Sequence, residues 1–182
     1  MPLMPSSMLP LGTYAPDFCL PDTRSGHQVC LNELTLKKGL LVMFICNHCP
    51  FVKHVEDKLI QLGREYPAKG ITFIAISSND VVEHPVDGPE LMAQKGYPFP
   101  YLYDESQDIA KAYQAACTPD FFLFDGNKTL VYRGQLDASK PGNGIAVSGA
   151  DLTAAMDALI AGNPINPDQK PSMGCNIKWK AG

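Results

Sequence analysis

The clearest hydrophobic pattern in the chain lies between residues 40 and 76. Leu40-Leu41-Val42-Met43-Phe44-Ile45 is an unbroken apolar run after Gly39, as expected of a short strand buried on both faces. Past Pro50, Val52, Val55, Leu59 and Leu62 recur at helical spacing, and Lys53, Glu56, Asp57 and Lys58 fill much of the other face. The spacing predicts an amphipathic helix to about Tyr66, closed by Pro67 and Gly70. Ile71-Thr72-Phe73-Ile74-Ala75-Ile76 reads as a second buried strand. Strand, helix and strand in this order form a βαβ unit, with a parallel pair and a right-handed crossover.

The flanking segments are shorter. Phe18–Leu20 and Gln28–Leu31 surround the turn-like Thr23-Arg24-Ser25-Gly26 and suggest a hairpin. Residues 77–89 are a polar loop, 90–95 a short helix, and Tyr101-Leu102-Tyr103 a short strand. Glu105 to Ala115 reads as a helix with Ile109, Ala112 and Tyr113 inward. Phe121-Phe122-Leu123-Phe124 and Leu130-Val131-Tyr132-Arg133 flank Asp125-Gly126-Asn127-Lys128, a hairpin with a favoured turn pair. Residues 137–148 are a loop, and Ala150 to Ala161 a helix with Leu152, Met156 and Leu159 on one face. The expected organisation is an irregular arm over 1–15, one domain over 16–161, and a Pro-rich tail over 162–182 that packs on the domain.

Composition narrows the function classes. A chain of 182 residues with 45% apolar side chains can bury a full core. The net charge is −4 and there is no long basic run, so neither a nucleic-acid nor a membrane partner is expected. Met1 to Pro16 is apolar but broken by Pro2, Pro5 and Pro10, and has no positive n-region. It is a poor signal peptide, which leads to the expectation of a cytoplasmic location.

The chemistry centres on cysteine. Of the six, Cys46 and Cys49 form Cys46-Asn47-His48-Cys49-Pro50 between the first buried strand and the helix. A helix N-terminus carries unpaired N–H groups and about half a positive charge, which favours a thiolate there. The two-residue spacer lets the sulfurs meet. An exposed Cys46 is expected to attack a partner's disulfide, and Cys49, one turn into the helix, to resolve the mixed disulfide. Pro50 is tolerated because its missing N–H falls in the first turn. A structural zinc site would need a second Cys-x-x-Cys, and the sequence has none. His48 beside Cys49 is expected to help hold Cys46 as thiolate, making the pair less reducing than a typical thioredoxin. His27, His54 and His84 have no such context and are read as surface residues.

A second signal is Thr118-Pro119, immediately before the strand beginning at Asp120. The order strand, Cys-x-x-Cys, helix, strand, Thr-Pro, hairpin and helix resembles the thioredoxin superfamily. In particular it resembles the redoxin branch related to peroxiredoxins and TlpA-type thioredoxins. Ala15-Pro16-Asp17-Phe18 with Leu20 resembles that branch's N-terminal segment, and Phe121 to Gly126 its later hairpin. The resemblance spans roughly residues 15–161. It implies an α/β, thioredoxin-like three-layer fold: a central mixed β-sheet flanked by helices, with the N-terminal hairpin and C-terminal tail added. It also implies a cis Pro119, with the Thr118 backbone set against the Cys46 sulfur and pairing with the substrate chain.

The sequence departs from the family in two places. Ile45 stands where thioredoxins usually carry Trp, and the lone Trp179 is in the tail. Met43 stands three residues before Cys46, where a peroxidatic cysteine has Thr or Ser. Arg133 is read as outward-facing. Cys117 adjoins the Thr-Pro loop and is a candidate modulator, as a third redox thiol, a soft metal ligand or a buried apolar side chain. Cys175 sits in a tail expected to pack down. Cys19 and Cys30 are expected to be structural, and can pair only if their Cα atoms come within about 7 Å.

The leading expectation is a thiol–disulfide oxidoreductase with Cys46 and Cys49 catalytic, Thr118 and Pro119 binding substrate, and no resident cofactor or metal. Its partners would be a protein or small-molecule disulfide or dithiol and a reducing system, either thioredoxin reductase-like or glutathione. The alternatives are a thiol peroxidase and a Cu(I)- or soft-metal-binding module, since thiolates suit such ions.

Overall fold

The computed structural model describes residues 3–182. Met1 and Pro2 of the expected arm lie outside the described residues. The strands in chain order are β1 (Leu3–Pro5), β2 (Cys19–Pro21), β3 (Gln28–Cys30), β4 (Gly39–Phe44), β5 (Ile71–Ser77), β6 (Tyr101–Tyr103), β7 (Cys117–Thr118), β8 (Asp120–Asp125), β9 (Leu130–Gly134) and β10 (Met173–Asn176). The helices are α1 (Pro50–Glu65), α2 (Pro89–Gln94), α3 (Asp108–Ala112) and α4 (Ala150–Ala161).

The main sheet has five strands in the order β6-β5-β4-β8-β9. β4, β5 and β6 run parallel, and β8 and β9 are antiparallel to their neighbours, so the sheet is mixed. Its centre is β4, whose six residues are all buried, as a continuous apolar run requires. Alternation splits that run. Leu41 and Met43 join the core under α1 and α4, while Leu40, Val42 and Phe44 join the opposite core with Tyr113, Phe122 and Phe124. On the first side α1 buries Val52, Val55, Leu59 and Leu62. On the second, Phe44, Tyr113 and Phe122 pack edge-on or tilted with centroids 5.6–5.8 Å apart. This is the three-layer arrangement that the resemblance implies.

The structure differs from the sequence reading in the short elements. The helix expected over Glu105 to Ala115 is confined to Asp108–Ala112. Gln107 and Gln114 adopt left-handed backbone at its two ends, with φ of 68° and 53°. Gln107 is the N-cap, and its side-chain amide donates to the carbonyls of Ser78 and Lys178. Ala110, not Ala112, points inward. The arm is not wholly irregular, because β1 pairs with β10 of the tail, and β10 pairs in turn with β7. In the N-terminal hairpin Cys19 lies directly opposite Cys30, with Cα atoms 4.0 Å apart, and the two are disulfide-bonded. No helix among the described residues is long and apolar enough to cross a membrane.

Asp120 ties arm and tail to the sheet. It is fully buried; Ser6 Oγ donates to it at 2.9 Å, and the Ser172 N–H donates to Ser6 Oγ at 2.8 Å. Burial pushes its carboxyl up to about 7, against hydrogen bonds from Ser6 and backbone amides that pull it down. In the unfolded chain an aspartate ionises near 3.9. The folded chain therefore holds an extra proton between those values. The stability from this group is whole below about pH 4 and is lost as pH rises through about 7. Thermal unfolding from pH 4 to 8 should show wild-type stability falling relative to Asp120→Asn, by a few kcal/mol at most. Parallel pH profiles for the two proteins would contradict the assignment.

Candidate functional site

β4 ends at Phe44 and α1 begins at Pro50, so Cys46 and Cys49 lie in the connection between them. On the neighbouring strand Phe44 faces Asp120. That register brings Thr118, two residues before Asp120, to the same end of the sheet. Cys46 Sγ is 3.8 Å from Thr118 Oγ1, and Cys49 Sγ is 3.3 Å from the Thr118 carbonyl oxygen. The Thr118–Pro119 peptide is cis, as the resemblance implies. The residues expected at the site, Cys46, Cys49, Thr118 and Pro119, do converge.

The details correct two expectations about Cys46. It is buried, with 1% of its surface accessible, rather than exposed. It also precedes the helix: Cys49 is the N-cap of α1, with extended backbone (φ −66°, ψ 123°), and Pro50 occupies the first helical position. The helix N-terminus therefore serves Cys49. Hydrogen bonding from the Cys46 thiol pulls the Cys49 thiol down to about 4, assisted by Cys175, Thr118 and the Val52 N–H, while burial works against this. Cys46 is pushed up, first by that shared hydrogen bond, then by burial and the negative charge of Asp87. The two thiols titrate as a coupled pair, with Cys49 drawn down and Cys46 pushed up by the hydrogen bond they share.

Asp87 is the residue that sequence reasoning missed. It is fully buried. Its Oδ1 accepts the backbone N–H groups of Asn47 and His48 at 2.8 and 3.1 Å. Its Oδ2 accepts from Asn79 at 3.0 Å and lies 2.5 Å from His48 Nδ1. These amides follow Cys46 directly, so the loop is organised by a carboxylate rather than by the helix. Asn47 is fixed further by Tyr101 and by the Val86 carbonyl. His48 Nδ1 is 4.0 Å from Cys46 Sγ but far closer to Asp87, and its ring stacks on His84 with centroids 5.6 Å apart. His48 is thus committed to Asp87 instead of to the Cys46 thiolate, and His84 belongs beside the site. The only local signal for this was the loop Ser77 to Asp87, which holds three acidic residues, Asp80, Glu83 and Asp87, with nothing to single out the last.

Cys117 does not join the sulfur cluster. Its thiol points to the carbonyls of Pro119 and Ser172, and burial pushes it up. Cys175 does: its Sγ is 2.9 Å from Cys49 Sγ. Arg133 donates to the Leu9 carbonyl and to Gln169. Cys46 Sγ, a His48 ring nitrogen and an Asp87 oxygen lie within 4.8 Å of one another. As a ligand set they mix soft sulfur with hard carboxylate, and the Asp87 oxygens are already filled by Asn47, His48 and Asn79.

A family model described as the AhpC/TSA family matches residues 11–133. A Geobacillus kaustophilus protein named thiol-disulfide oxidoreductase ResA is 28% identical over 118 residues. That match covers 64% of this chain and 64% of the relative's own length. Among solved structures, one described as an uncharacterized conserved protein from Geobacillus kaustophilus superposes with a TM-score of 0.98 at 53% identity. It covers 100% of this chain and 98% of the other. A thiol:disulfide interchange protein of the thioredoxin family from Chlorobium tepidum superposes with a TM-score of 0.61 at 17% identity, over 82% of this chain and 97% of its own. At that identity the likeness shows a shared thioredoxin-like fold.

Replacing Asp87 by Asn removes the buried charge beside Cys46. The pH profile of iodoacetamide labelling at Cys46, read by peptide mass, should shift to lower pH in Asp87→Asn. An unchanged or higher midpoint would show that the carboxylate does not set the Cys46 thiol.

Proposed function

The chain belongs to the AhpC/TSA family, and from that premise we propose that it is a thiol–disulfide oxidoreductase working through a Cys46–Cys49 disulfide. The observation that carries this reading is the pair of buried, hydrogen-bonded thiols packed against Thr118 at the N-terminus of α1. A relative named as a thiol-disulfide oxidoreductase supports the same class of reaction.

In this reading Cys46 passes its proton to the hydrogen-bonded Cys49 sulfur as it attacks one sulfur of a substrate disulfide. A Cys46–substrate mixed disulfide forms and the substrate's other thiol leaves. Cys49 then attacks the Cys46 sulfur, releases the reduced substrate and leaves Cys46–Cys49 oxidised. In the mixed disulfide the Cys46 hydrogen bond is gone, and the groups that still favour a Cys49 thiolate for this step are Cys175, Thr118 and the Val52 N–H. Thr118 lines the attack site. Substrates are protein or small-molecule disulfides, and a dithiol or glutathione-type reductant returns the pair to its thiol form. The family match also favours a second reading, a thiol peroxidase. Peroxide consumption by the reduced protein separates the two, and the disulfide reading expects it to be slower than reduction of a small disulfide.

The direct test compares wild type, Cys46→Ser and Cys49→Ser in the reduction of insulin by dithiothreitol. Cys46→Ser should fall to the uncatalysed rate. Cys49→Ser should accumulate a covalent mixed disulfide through Cys46. Wild-type rates in both variants would reject the proposed pair.

A further inference from the structure

β10 brings the tail into the site. It lies between β1 and β7, with Cys175 opposite Leu3 on one edge and opposite Thr118 on the other. The approach is close enough that a Cβ on Gly174 would overlap the Thr118 carbonyl. A backbone edge of Thr118 is therefore paired inside the molecule, by the tail strand. Cys175 is buried and its sulfur sits 2.9 Å from Cys49 Sγ. A disulfide bond is about 2.0 Å long, so closing it needs only a small shift of two side chains.

Building on the Cys46–Cys49 reading above, we propose that Cys175 is the third redox thiol of the site, accepting the disulfide from Cys46–Cys49 to form Cys49–Cys175. The Cys175 sulfur attacks Cys49 Sγ. The Cys49–Cys175 bond forms as the Cys46–Cys49 bond breaks, and the proton lost by Cys175 ends on the departing Cys46. No electrons enter or leave the chain in this exchange. The two electrons were taken earlier, by the substrate disulfide. The oxidised protein then holds its disulfide between the helix cap and the tail strand, with Cys46 again a thiol.

The environment of Cys175 supports such an order of events. In the reduced chain burial, then the hydrogen bond and charge of Cys49, push Cys175 up to about 12, and Lys178 pulls it down. Once Cys49 is tied to Cys46, its charge and hydrogen bond vanish, while burial and the opposing Lys178 influence remain. Cys175 thus becomes a better nucleophile only after the first disulfide has formed.

The test uses the full chain, reduced and then treated with hydroxyethyl disulfide, quenched in acid, alkylated under denaturing conditions and mapped by peptide mass. In wild type the oxidised fraction should lose label at Cys49 and Cys175 and keep it at Cys46. In Cys175→Ser the protected pair should move to Cys46 and Cys49. Wild-type protein that protects Cys46 and Cys49 while Cys175 stays labelled would overturn the relay and leave the oxidoreductase reading standing. Full labelling of Cys49 after oxidation would overturn both. If the variant folds poorly, wild type quenched at successive times decides the question: Cys46 and Cys49 should be protected first and Cys49 and Cys175 later, and protection of Cys49 and Cys175 from the earliest time would overturn the relay.

Discussion

The site depends on one strand pairing, that of β4 with β8. Phe44 opposite Asp120 fixes where the Cys46 loop leaves the sheet relative to where Thr118 and Pro119 enter it. Two segments some seventy residues apart in sequence thereby meet at contact distance. The pairing is held by burial on both faces. Leu41, Met43, Phe121 and Leu123 pack beneath α1 and α4, and Leu40, Val42, Phe44, Phe122 and Phe124 on the other side. Each such side chain contributes about 1.5–3 kcal/mol. A slip of one residue would turn both faces over and carry Thr118 away from the thiols.

On that frame the electrostatics of the two cysteines diverge. Cys49 caps α1 and takes a hydrogen bond from Cys46, with further help from Cys175, Thr118 and the Val52 N–H, so its thiol is pulled down. Cys46 lies in a loop organised by the buried carboxylate of Asp87, so its thiol is pushed up. A Cys-x-x-Cys spacing alone does not say which sulfur carries the charge. That is decided by where the helix starts and by which group takes the amides between the cysteines. Here the thiol drawn down is the one that also touches Cys175.

The parts legible in the sequence were those with a local pattern. The β4–α1–β5 unit follows from its apolar runs, the β8–β9 turn from Asp125-Gly126, and the site from Cys46-x-x-Cys49 and Thr118-Pro119. β7 is two residues long and β1 three, too short for any period to show. β10 is Met-Gly-Cys-Asn, with no alternation, and exists because Thr118 and Leu3 offer edges to pair with. Asp87 was hidden for a related reason. A buried carboxylate in a polar loop is distinguished only by what folds onto it, and its partners Asn47 and His48 are 40 and 39 residues away.

The most direct measurement is an equilibrium redox titration of the full chain in glutathione buffers, acid-quenched, alkylated and mapped at each potential. The account predicts that, apart from the Cys19–Cys30 disulfide, there is one reversible two-electron transition among Cys46, Cys49 and Cys175 in which Cys49 is always a partner. Reversible oxidation that leaves Cys49 as a free thiol at the oxidising end would contradict it.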